Sequence, residues 1–353
     1  MDNPALPVPM TILSGFLGAG KTTLLNRILQ AEHGLRVAVL VNDFGEVNID
    51  SQLVVGVEGE ETVQLANGCI CCSIRGDLVT AVLDLFRRDE MPEYVIIEPS
   101  GVSDPLAVAE TFLIPQFSPL IRLDSILTVV DAEQILELDK EQAMLAFDQI
   151  EVADIVVLNK TDLVDADGLA KVQTFIRNAV PSARVYRTQH ADIPMELILG
   201  VGLYDLDRLM SRDIRDVHVH EAGHQPHDHH HTDHSTVFDS FSWRSDKPIA
   251  LGGLRKSIED LPTGIYRAKG ILHLDGETES RAILHVVGKR GMLSLGKPWG
   301  DETPYSQIVA IGQSGQVDAV QLAALFEATL AENYSRTASD MLLDAITILR
   351  GVV

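Results

Sequence analysis

The sequence predicts an α/β fold with a doubly wound, mostly parallel sheet, followed by a smaller α+β domain. Between residues 9 and 200, short apolar runs that are typical of buried strands alternate with helical stretches, which is the pattern of βαβ units. From residue 236 onward, runs of alternating polar and apolar residues surround two helical stretches. The second pattern favours an antiparallel sheet with helices. The 353 residues are enough for two domains.

The order of these elements gives the expected domain limits. In the first part, we expect strands at 9–14, 36–41, 94–98, 125–130, 154–158 and 183–187. In the second part, we expect strands at 237–243, 265–274, 281–287 and 306–311, helices near 248–260 and 317–331, and a last amphipathic helix at 339–349. Residues 211–235 are polar and show no periodicity. The predicted domains are therefore 1–210 and 236–353, with 211–235 as a linker.

The composition favours a soluble, cytoplasmic protein. The formal net charge of -23 argues against non-specific nucleic-acid binding, because that binding requires a basic face. No apolar stretch approaches the length of about eighteen residues that a transmembrane helix needs, and Met1–Pro9 lacks the basic segment of a secretory signal. We therefore expect neither a nucleic acid nor a membrane as a partner.

A phosphate-binding loop lies near the start of the chain. Residues 15–22 read Gly-Phe-Leu-Gly-Ala-Gly-Lys-Thr between an apolar run and a helical stretch. Glycines at such a junction let backbone N–H groups converge on phosphate oxygens at a helix N-terminus. We expect Lys21 to reach the β- and γ-phosphates and the Thr22 hydroxyl to bind Mg²⁺; the alternative is a glycine-rich turn that precedes a lysine by chance. The residues predicted to bind the nucleotide here are Gly15, Gly18, Ala19, Gly20, Lys21, Thr22 and Thr23.

A second motif predicts which base is bound. The apolar run 154–158 leads into Asn159, Lys160 and, two residues on, Asp162, at the carboxyl end of a predicted parallel strand, where open α/β sheets bind ligands. A buried Asp162 carboxylate can accept hydrogen bonds from guanine N1–H and the N2 amino group, a pair of donors that adenine lacks. In the alternative interpretation, Asp162 is the N-cap of a helix. We expect these three residues to select GTP.

A third nucleotide element follows the apolar run 94–97. Glu98 ends this run, where a carboxylate can coordinate Mg²⁺ through water, although most GTPases have Asp there. Gly101 lies three residues further on, where its backbone N–H can sense the γ-phosphate. The alternative is a carboxylate that merely ends a strand. We expect Lys21, Thr22 and Glu98 to be the catalytic residues, with Thr22 and Glu98 holding Mg²⁺.

All the cysteines of the chain lie in one short segment. Cys69, Cys71 and Cys72 have no other cysteine with which to pair, and neighbouring cysteines rarely form a disulfide. Three thiolates can bind Zn²⁺ or another borderline-to-soft ion and leave one tetrahedral position open. The alternative is that the cysteines are small buried hydrophobic residues behind a turn. The isolated cluster favours an exchangeable metal site.

Histidines are concentrated in the predicted linker. Eight of the twelve histidines fall within residues 218–234, among several carboxylates. Such tracts bind divalent metals because neutral imidazole is a good borderline ligand. The functional interpretation is a reservoir of weak, pH-dependent sites, and the alternative is a solvated linker without a metal function.

Together, the motifs resemble the CobW-type P-loop GTPases, a metal-handling family that includes nitrile hydratase activators and zinc metallochaperones. The resemblance rests on GFLGAGKTT at 15–23, VNDFGEVNID at 41–50, NGCICC at 67–72, EPSG at 98–101 and NKTD at 159–162. It implies a P-loop GTPase domain, a CobW-like C-terminal domain, and CxCC thiolates that carry Zn²⁺ or Co²⁺ to a client metalloprotein. It also implies a metal ligand at Glu46, although certain relatives have a further acid where this chain has Val41.

The position of the cysteines predicts how the two sites communicate. Residues 42–72 follow the second predicted strand, where P-loop GTPases carry a segment that senses the γ-phosphate. By reciprocity, GTP and metal should each change the affinity for the other. We therefore expect a GTP-dependent metallochaperone with slow hydrolysis in the absence of metal or a partner. The alternative is a regulatory or assembly GTPase in which metal is sensed or structural.

Overall fold

A computed structural model describes residues 7–41, 62–64, 73–88, 90–200, 238–335 and 340. The chain divides into two compact units. One comprises Met1–Ile193 with Val287–Arg290, and the other comprises Pro194–Val286 with Gly291–Val353. The predicted domain limits at 210 and 236 fall outside the described residues and stay predictions. None of the described helices is both long enough and apolar enough to cross a membrane.

The first unit is built on a parallel sheet. Its described strands are β1 Val8–Gly15, β2 Val37–Val41, β3 Thr62–Gln64, β4 Tyr94–Glu98, β5 Ile121–Asp131, β6 Ile155–Asn159 and β7 Val185–Arg187. They form a seven-stranded sheet in the order β3-β2-β4-β1-β5-β6-β7. All the pairings between them are parallel, and the chain adds strands on both sides of β1. The predicted doubly wound parallel sheet is therefore confirmed.

Helices connect these strands and start at well-defined caps. The described helices of this unit are α1 Lys21–Gln30, α2 Ser73–Leu85, α3 Pro105–Phe112, α4 Lys140–Glu151 and α5 Ala166–Ala179. Asp104, Asp139 and Asp165 cap α3, α4 and α5, and each carboxylate accepts backbone N–H groups of the first turn. A capping box with Gln142 adds a second bond at the start of α4.

Apolar packing covers the sheet. Strands β2, β4 and β6 are buried along their full length, as expected for parallel strands that carry helices on both faces. One cluster packs Ile97 of β4 with Phe112 of α3, and another packs Leu158 of β6 with Ile176 of α5. These contacts fix the carboxyl ends of the strands, where the candidate site lies.

The second unit has an antiparallel sheet with helices. Its elements are β8 Phe238–Ser245, β9 Ile265–Leu274, β10 Glu277–Val287, β11 Arg290–Pro298 and β12 Ser306–Gln313, with α6 Met195–Ile198, α7 Leu251–Glu259 and α8 Ala319–Glu327. The strand order is β11-β10-β9-β12-β8, and β12 is antiparallel to both of its neighbours. The Trp243 ring of β8 packs 5.8 Å from the Phe326 ring of α8. The predicted α+β domain is confirmed.

Two of the described strands were not predicted from the sequence. Strand β3 has only three residues. Strand β11 reads Arg-Gly-Met-Leu-Ser-Leu-Gly-Lys-Pro, and its two glycines and terminal proline disguise the alternating pattern. The predicted terminal helix at 339–349 lies outside the described residues, apart from Asp340.

Residues 194–200 are held within the second unit by two basic side chains of β9. Arg267 is 2% exposed, and its guanidinium donates to the Leu197 carbonyl at 2.8 Å and to the Ile198 carbonyl at 2.7 Å. Lys269 Nζ donates to the Gly200 carbonyl at 3.0 Å. The carbonyl end of α6 is therefore neutralised by cations, which is the favourable arrangement for a helix C-terminus.

A buried polar network links three strands of the first unit. The Tyr94 hydroxyl donates to Asp124 Oδ2 at 2.9 Å and lies 2.8 Å from Thr11 Oγ1. Thr11 Oγ1 also lies 2.8 Å from Ser125 Oγ. Replacement of Tyr94 by phenylalanine removes the hydroxyl at the centre of the network and leaves the ring in place.

We expect Tyr94→Phe to lower the free energy of unfolding by about 1–3 kcal/mol, because a buried carboxylate loses a donor. Urea-induced unfolding measures this change. Tyr305→Phe is the matched control, because Arg244 lies over the Tyr305 ring and the Trp299 ring packs beside it, and both ring contacts survive the substitution. Equal losses of stability in the two variants would contradict the network's contribution.

Candidate functional site

The loop between β1 and α1 forms a cradle that only glycine permits. Gly15, Gly18 and Gly20 have φ angles of 139°, 77° and 110°, which L side chains rarely adopt. A Cβ atom on Gly15 would lie 2.3 Å from the Val129 carbonyl oxygen, and one on Gly20 would lie 2.4 Å from Asn159 Nδ2. The backbone can therefore approach a ligand closely at this loop.

The N-terminus of α1 faces this cradle without a side-chain cap. Its N-cap residue is Gly20, and the first turn contains no acidic residue. Uncapped N–H groups and the positive end of the helix dipole both favour an anion. Ala19 is buried, Thr22 is half-buried and Thr23 is exposed at the start of the helix. The cradle and the helix start together fit a phosphate group.

Lys21 and Glu98 meet beside the cradle. Lys21 Nζ lies 3.9 Å from Glu98 Oε1 and donates to the Phe16 carbonyl at 3.4 Å. The two residues are 7% and 4% exposed, so water screens their charges only weakly. Because β1 and β4 are neighbours in the sheet, their carboxyl ends bring together residues that are 77 positions apart (98 − 21).

Asn159 connects the cradle to a loop that the sequence analysis did not single out. Its Nδ2 donates to the Ala19 carbonyl at 2.9 Å, and its Oδ1 accepts from the Ala191 backbone N–H at 2.8 Å. His190 and Ala191 have φ angles of 51° and 54°, although neither is glycine. Such positive φ values cost free energy and persist where the surroundings impose them. The loop 188–192 is therefore a further wall of the site.

Lys160 also has a partner that no motif indicated. Its Nζ lies 2.7 Å from Asp131 Oδ2, and its own backbone has a positive φ of 57°. Asp131 ends β5 and is 6% exposed. Its other oxygen accepts the backbone N–H groups of Glu133 and Gln134, so the carboxylate is held by the loop that follows. Asp131 thereby positions the lysine of the predicted base-binding motif.

Asp162 of the predicted base-binding motif follows β6 in a short turn. It lies in a 3-10 turn, Thr161–Leu163, and its side chain is exposed instead of buried. This turn carries Asp162 at the surface beyond the end of β6, and its role in base selection stays a prediction. The alternative, an N-cap, is wrong, since Asp165 caps α5.

Gly101 lies against the cradle. A Cβ atom on Gly101 would lie 2.8 Å from Leu17 Cδ2 and 3.0 Å from the Leu17 backbone nitrogen. The Ser103 N–H donates to the Ser100 carbonyl at 2.9 Å, which closes a turn around Gly101. The loop after β4 therefore lies close to Leu17 in the loop after β1, with no room for a side chain at Gly101. The structure brings Gly15, Gly18, Ala19, Gly20, Lys21, Thr22, Thr23, Glu98, Gly101, Asn159 and Lys160 to one end of the sheet.

Comparison with known proteins identifies the architecture. A family model described as "CobW/HypB/UreG, nucleotide-binding domain" matches residues 9–187, and "Cobalamin synthesis protein cobW C-terminal domain" matches residues 238–330. The chain belongs to the CobW family. The first of these models describes a nucleotide-binding domain, and the cradle lies within it.

Several CobW-family relatives carry names that refer to zinc. "Zinc-regulated GTPase metalloprotein activator 1" of Dictyostelium discoideum is 36% identical over 325 residues, which are 80% of this chain and 66% of that protein. "Zinc chaperone YjiA" of Escherichia coli (strain K12) is 32% identical over 315 residues, 87% of this chain and 94% of that protein. Among solved structures, this chain is similar to the crystal structure of Zn(II)-bound YjiA GTPase from E. coli, with 27% sequence identity. The match covers 92% of this chain and 99% of that chain and has a TM-score of 0.40.

The predicted metal ligands lie outside the described residues. They are Cys69, Cys71, Cys72 and Glu46, and the same holds for the histidines within 218–234. In the part of the chain that the structure describes, no group of three or more His, Cys, Asp or Glu side chains is arranged to hold a metal ion. The metal site of this CobW-family chain therefore stays a prediction.

We expect Asn159→Ala to weaken the binding of GDP by roughly 10-fold or more, because the cradle and the loop 188–192 lose their shared carboxamide and each bond is worth about 1 kcal/mol. Titration calorimetry with GDP measures the change. Asn333→Ala is the matched control, since it removes a carboxamide that donates to the Glu327 carbonyl in the second unit. The role of Asn159 is refuted if both variants bind GDP as the unmodified protein does.

Proposed function

We propose that this CobW-family chain is a GTP-dependent metallochaperone that carries Zn²⁺, or Co²⁺, as cargo to a client metalloprotein. The observation that carries the nucleotide part is the phosphate cradle beside the buried Lys21–Glu98 pair. The zinc-related names of the relatives support the metal part. Cys69, Cys71 and Cys72 are the proposed cargo ligands, and Glu46 is a proposed additional ligand.

Residues at the start of α1 perform the phosphate chemistry in this proposal. Backbone N–H groups of the cradle and of the first turn hold the phosphate oxygens, and the Lys21 ammonium neutralises the charge that they carry. Thr22 and Glu98 are the proposed Mg²⁺ ligands, and the ion would supply positive charge to the β- and γ-phosphate oxygens. The donor set fits this ion, because hydroxyl and carboxylate oxygens are ligands that Mg²⁺ prefers.

The same arrangement supports GTP hydrolysis. Phosphoryl transfer depends on positioning and on electrostatic stabilisation more than on covalent chemistry by the protein. Lys21 supplies a buried positive charge, and Gly101 lies beside Leu17 of the cradle. We expect the Gly101 loop to respond to a γ-phosphate there. We expect the turnover to be slow until metal or a partner improves the positioning.

Base selection is assigned to Asp162. We expect wild-type protein to bind GTP in preference to ATP, and Asp162→Asn to weaken GTP binding by roughly 10- to 100-fold, because hydrogen bonds to a charged group contribute about 1.5–3 kcal/mol each. The variant should shift its preference toward xanthine nucleotides, whose second ring position carries an oxygen instead of an amino group. Competition between fluorescent GDP and each unlabelled nucleotide measures the preference.

The matched control for base selection is Asp165→Asn. Asp165 is an exposed carboxylate three residues further on, and asparagine caps a helix about as well as aspartate does. This control should leave the nucleotide preference unchanged. Equal affinities of the wild type for ATP and GTP would rule out the guanine assignment.

Coupling between nucleotide and cargo distinguishes a metallochaperone from a regulatory GTPase. The cysteines lie between β2 and α2 in the chain, and both β2 and the P-loop strand β1 pair with β4. We expect one Zn²⁺ or Co²⁺ to bind about 5- to 150-fold more tightly with a nonhydrolysable GTP analogue and Mg²⁺ than with GDP. Anaerobic titration with Co²⁺, followed by thiolate-to-metal charge-transfer absorption, measures both affinities. Binding should weaken as the pH falls, because thiolates must lose protons to bind metal.

Two variants separate the tight site from weaker ones. Replacement of all three cysteines by serine should abolish tight binding and leave GTP binding intact. Deletion of residues 218–234 should remove weak sites and leave the tight site intact. Equal metal affinities with GDP and the GTP analogue would contradict the delivery mechanism. The chain would then be a GTPase that contains metal, and GTP hydrolysis would not transfer metal to a client.

A further inference from the structure

Gln149, a residue of α4 that belongs to none of the motifs, holds the loop that contains Gly101. Its side chain is 1% exposed, and Nε2 donates to the Gly101 carbonyl at 3.0 Å and to the Ser103 carbonyl at 3.2 Å. Both partners are acceptors, so the carboxamide can face them only with its NH₂ group. The orientation of this side chain therefore follows from its surroundings.

Two contacts hold the loop in place. Gly101 lies against Leu17 of the phosphate cradle. The Gln149 carboxamide donates to two carbonyls of the loop, and Gln149 and Leu17 line the same small cavity. The helix that carries Gln149 is itself anchored, because Thr128 Oγ1 of β5 donates to the Gln149 backbone carbonyl at 2.8 Å. A movement of the loop away from the cradle has to break the bonds to Gln149.

The acceptor atom of Gln149 shows that packing alone does not explain the residue. Oε1 is buried and has no hydrogen-bond partner among the described residues. Gln149 lines a small cavity of about 20 Å³ together with apolar atoms of Leu17, Ile135 and Ala146. A buried acceptor without a partner is unfavourable, so an apolar side chain of similar size would suit this cavity better. The benefit of glutamine lies in the two bonds to the loop.

We propose that Gln149 is a positioning residue for γ-phosphate recognition. By holding the Gly101 and Ser103 carbonyls, it keeps the loop after Glu98 against the cradle, in the place where the Gly101 backbone meets the last phosphate of GTP. This inference rests on the proposed GTP-dependent function and adds to it the residue that fixes the sensing loop. Gln149 itself contacts no nucleotide in this proposal, and it acts through the loop.

The first test compares Gln149→Met with wild type. Methionine has a similar length and no donor, so it should fill the site and release the loop. We expect the affinity for a nonhydrolysable GTP analogue to fall about 10-fold, and the affinity for GDP to stay within about twofold, because the loop is placed to meet only the γ-phosphate. Titration calorimetry gives both affinities, and thermal unfolding without nucleotide reports whether the variant is folded.

Thr128→Val is the matched control. It removes the bond that anchors the Gln149 backbone and leaves the carboxamide bonds to the loop in place. It should reduce thermal stability without changing the ratio of the two affinities, because Ala146 and Ile150 still pack α4 into the apolar cluster with β5 and β6. An equal change of this ratio in Thr128→Val and Gln149→Met would overturn the proposal, because general loosening of α4 would then explain both results.

The Gln149→Glu variant gives a pH dependence that a purely structural role of Gln149 would not produce. It also tests the proposal if Gln149→Met does not fold. The protonated acid can donate one hydrogen bond to the loop, whereas the carboxylate repels both carbonyls. Burial and the two facing carbonyl oxygens raise the pKa of this introduced carboxyl group. We therefore compare the ratio of GTP-analogue affinity to GDP affinity in the variant with the same ratio in wild type at each pH. The variant should be closest to wild type near pH 5.5, and its ratio should fall as the pH rises to 8.

The outcomes separate this inference from the proposed function. If wild type binds GDP and fails to bind the GTP analogue, both the proposed function and the role of Gln149 are wrong. If wild type binds both nucleotides and folded Gln149→Met keeps the wild-type ratio, only the role of Gln149 is wrong. A ratio in Gln149→Glu that follows wild type at every pH would overturn it in the same way.

Discussion

The candidate site depends on the two hydrogen bonds of the Asn159 carboxamide. One joins β6 to the Ala19 carbonyl, 140 residues earlier in the chain, and the other joins it to the Ala191 N–H, 32 residues later. Both polar ends of the amide are satisfied in a position that is 2% exposed, so the bonds are protected from competition by water. The space that Asn159 occupies also explains why position 20 has no room for a Cβ atom.

The parallel sheet brings the other site residues to Asn159. Strands β4, β1, β5 and β6 are consecutive neighbours in the sheet, and their last residues are Glu98, Gly15, Asp131 and Asn159. The carboxyl ends of parallel strands meet at one edge, and the loops that follow them form a crevice. Apolar burial on both faces holds the strands in register. The chemistry of the site is therefore a consequence of the packing of the sheet.

The sequence predicted the parts of the site that local motifs encode. The cradle, Glu98 and Asn159 each follow an apolar strand, and that context makes a short motif informative. The sequence did not indicate Asp131, Gln149 or the loop 188–192, because their contributions come from contacts with distant residues. The sequence also did not predict that Asp162 is exposed, because its exposure depends on the geometry of the turn in which it lies. In the fold, the apolar strands were predicted. Strand β3 was missed because it is short, and β11 was missed because its glycines and proline interrupt the alternating pattern.

The position of β1 in the middle of the sheet has a consequence for how the protein is made. One of its neighbours, β4, begins 86 residues after β1, and the other, β5, begins 113 residues after it (94 − 8 and 121 − 8). At about 5–20 residues per second, a ribosome needs roughly 10–40 s to pass from β1 to the loop at 188–192. Until β5 has been made, the apolar β1 lacks at least one of the two strands that flank it in the sheet. The Asn159 bridge between the cradle and the loop 188–192 is completed only later, when Ala191 has been added.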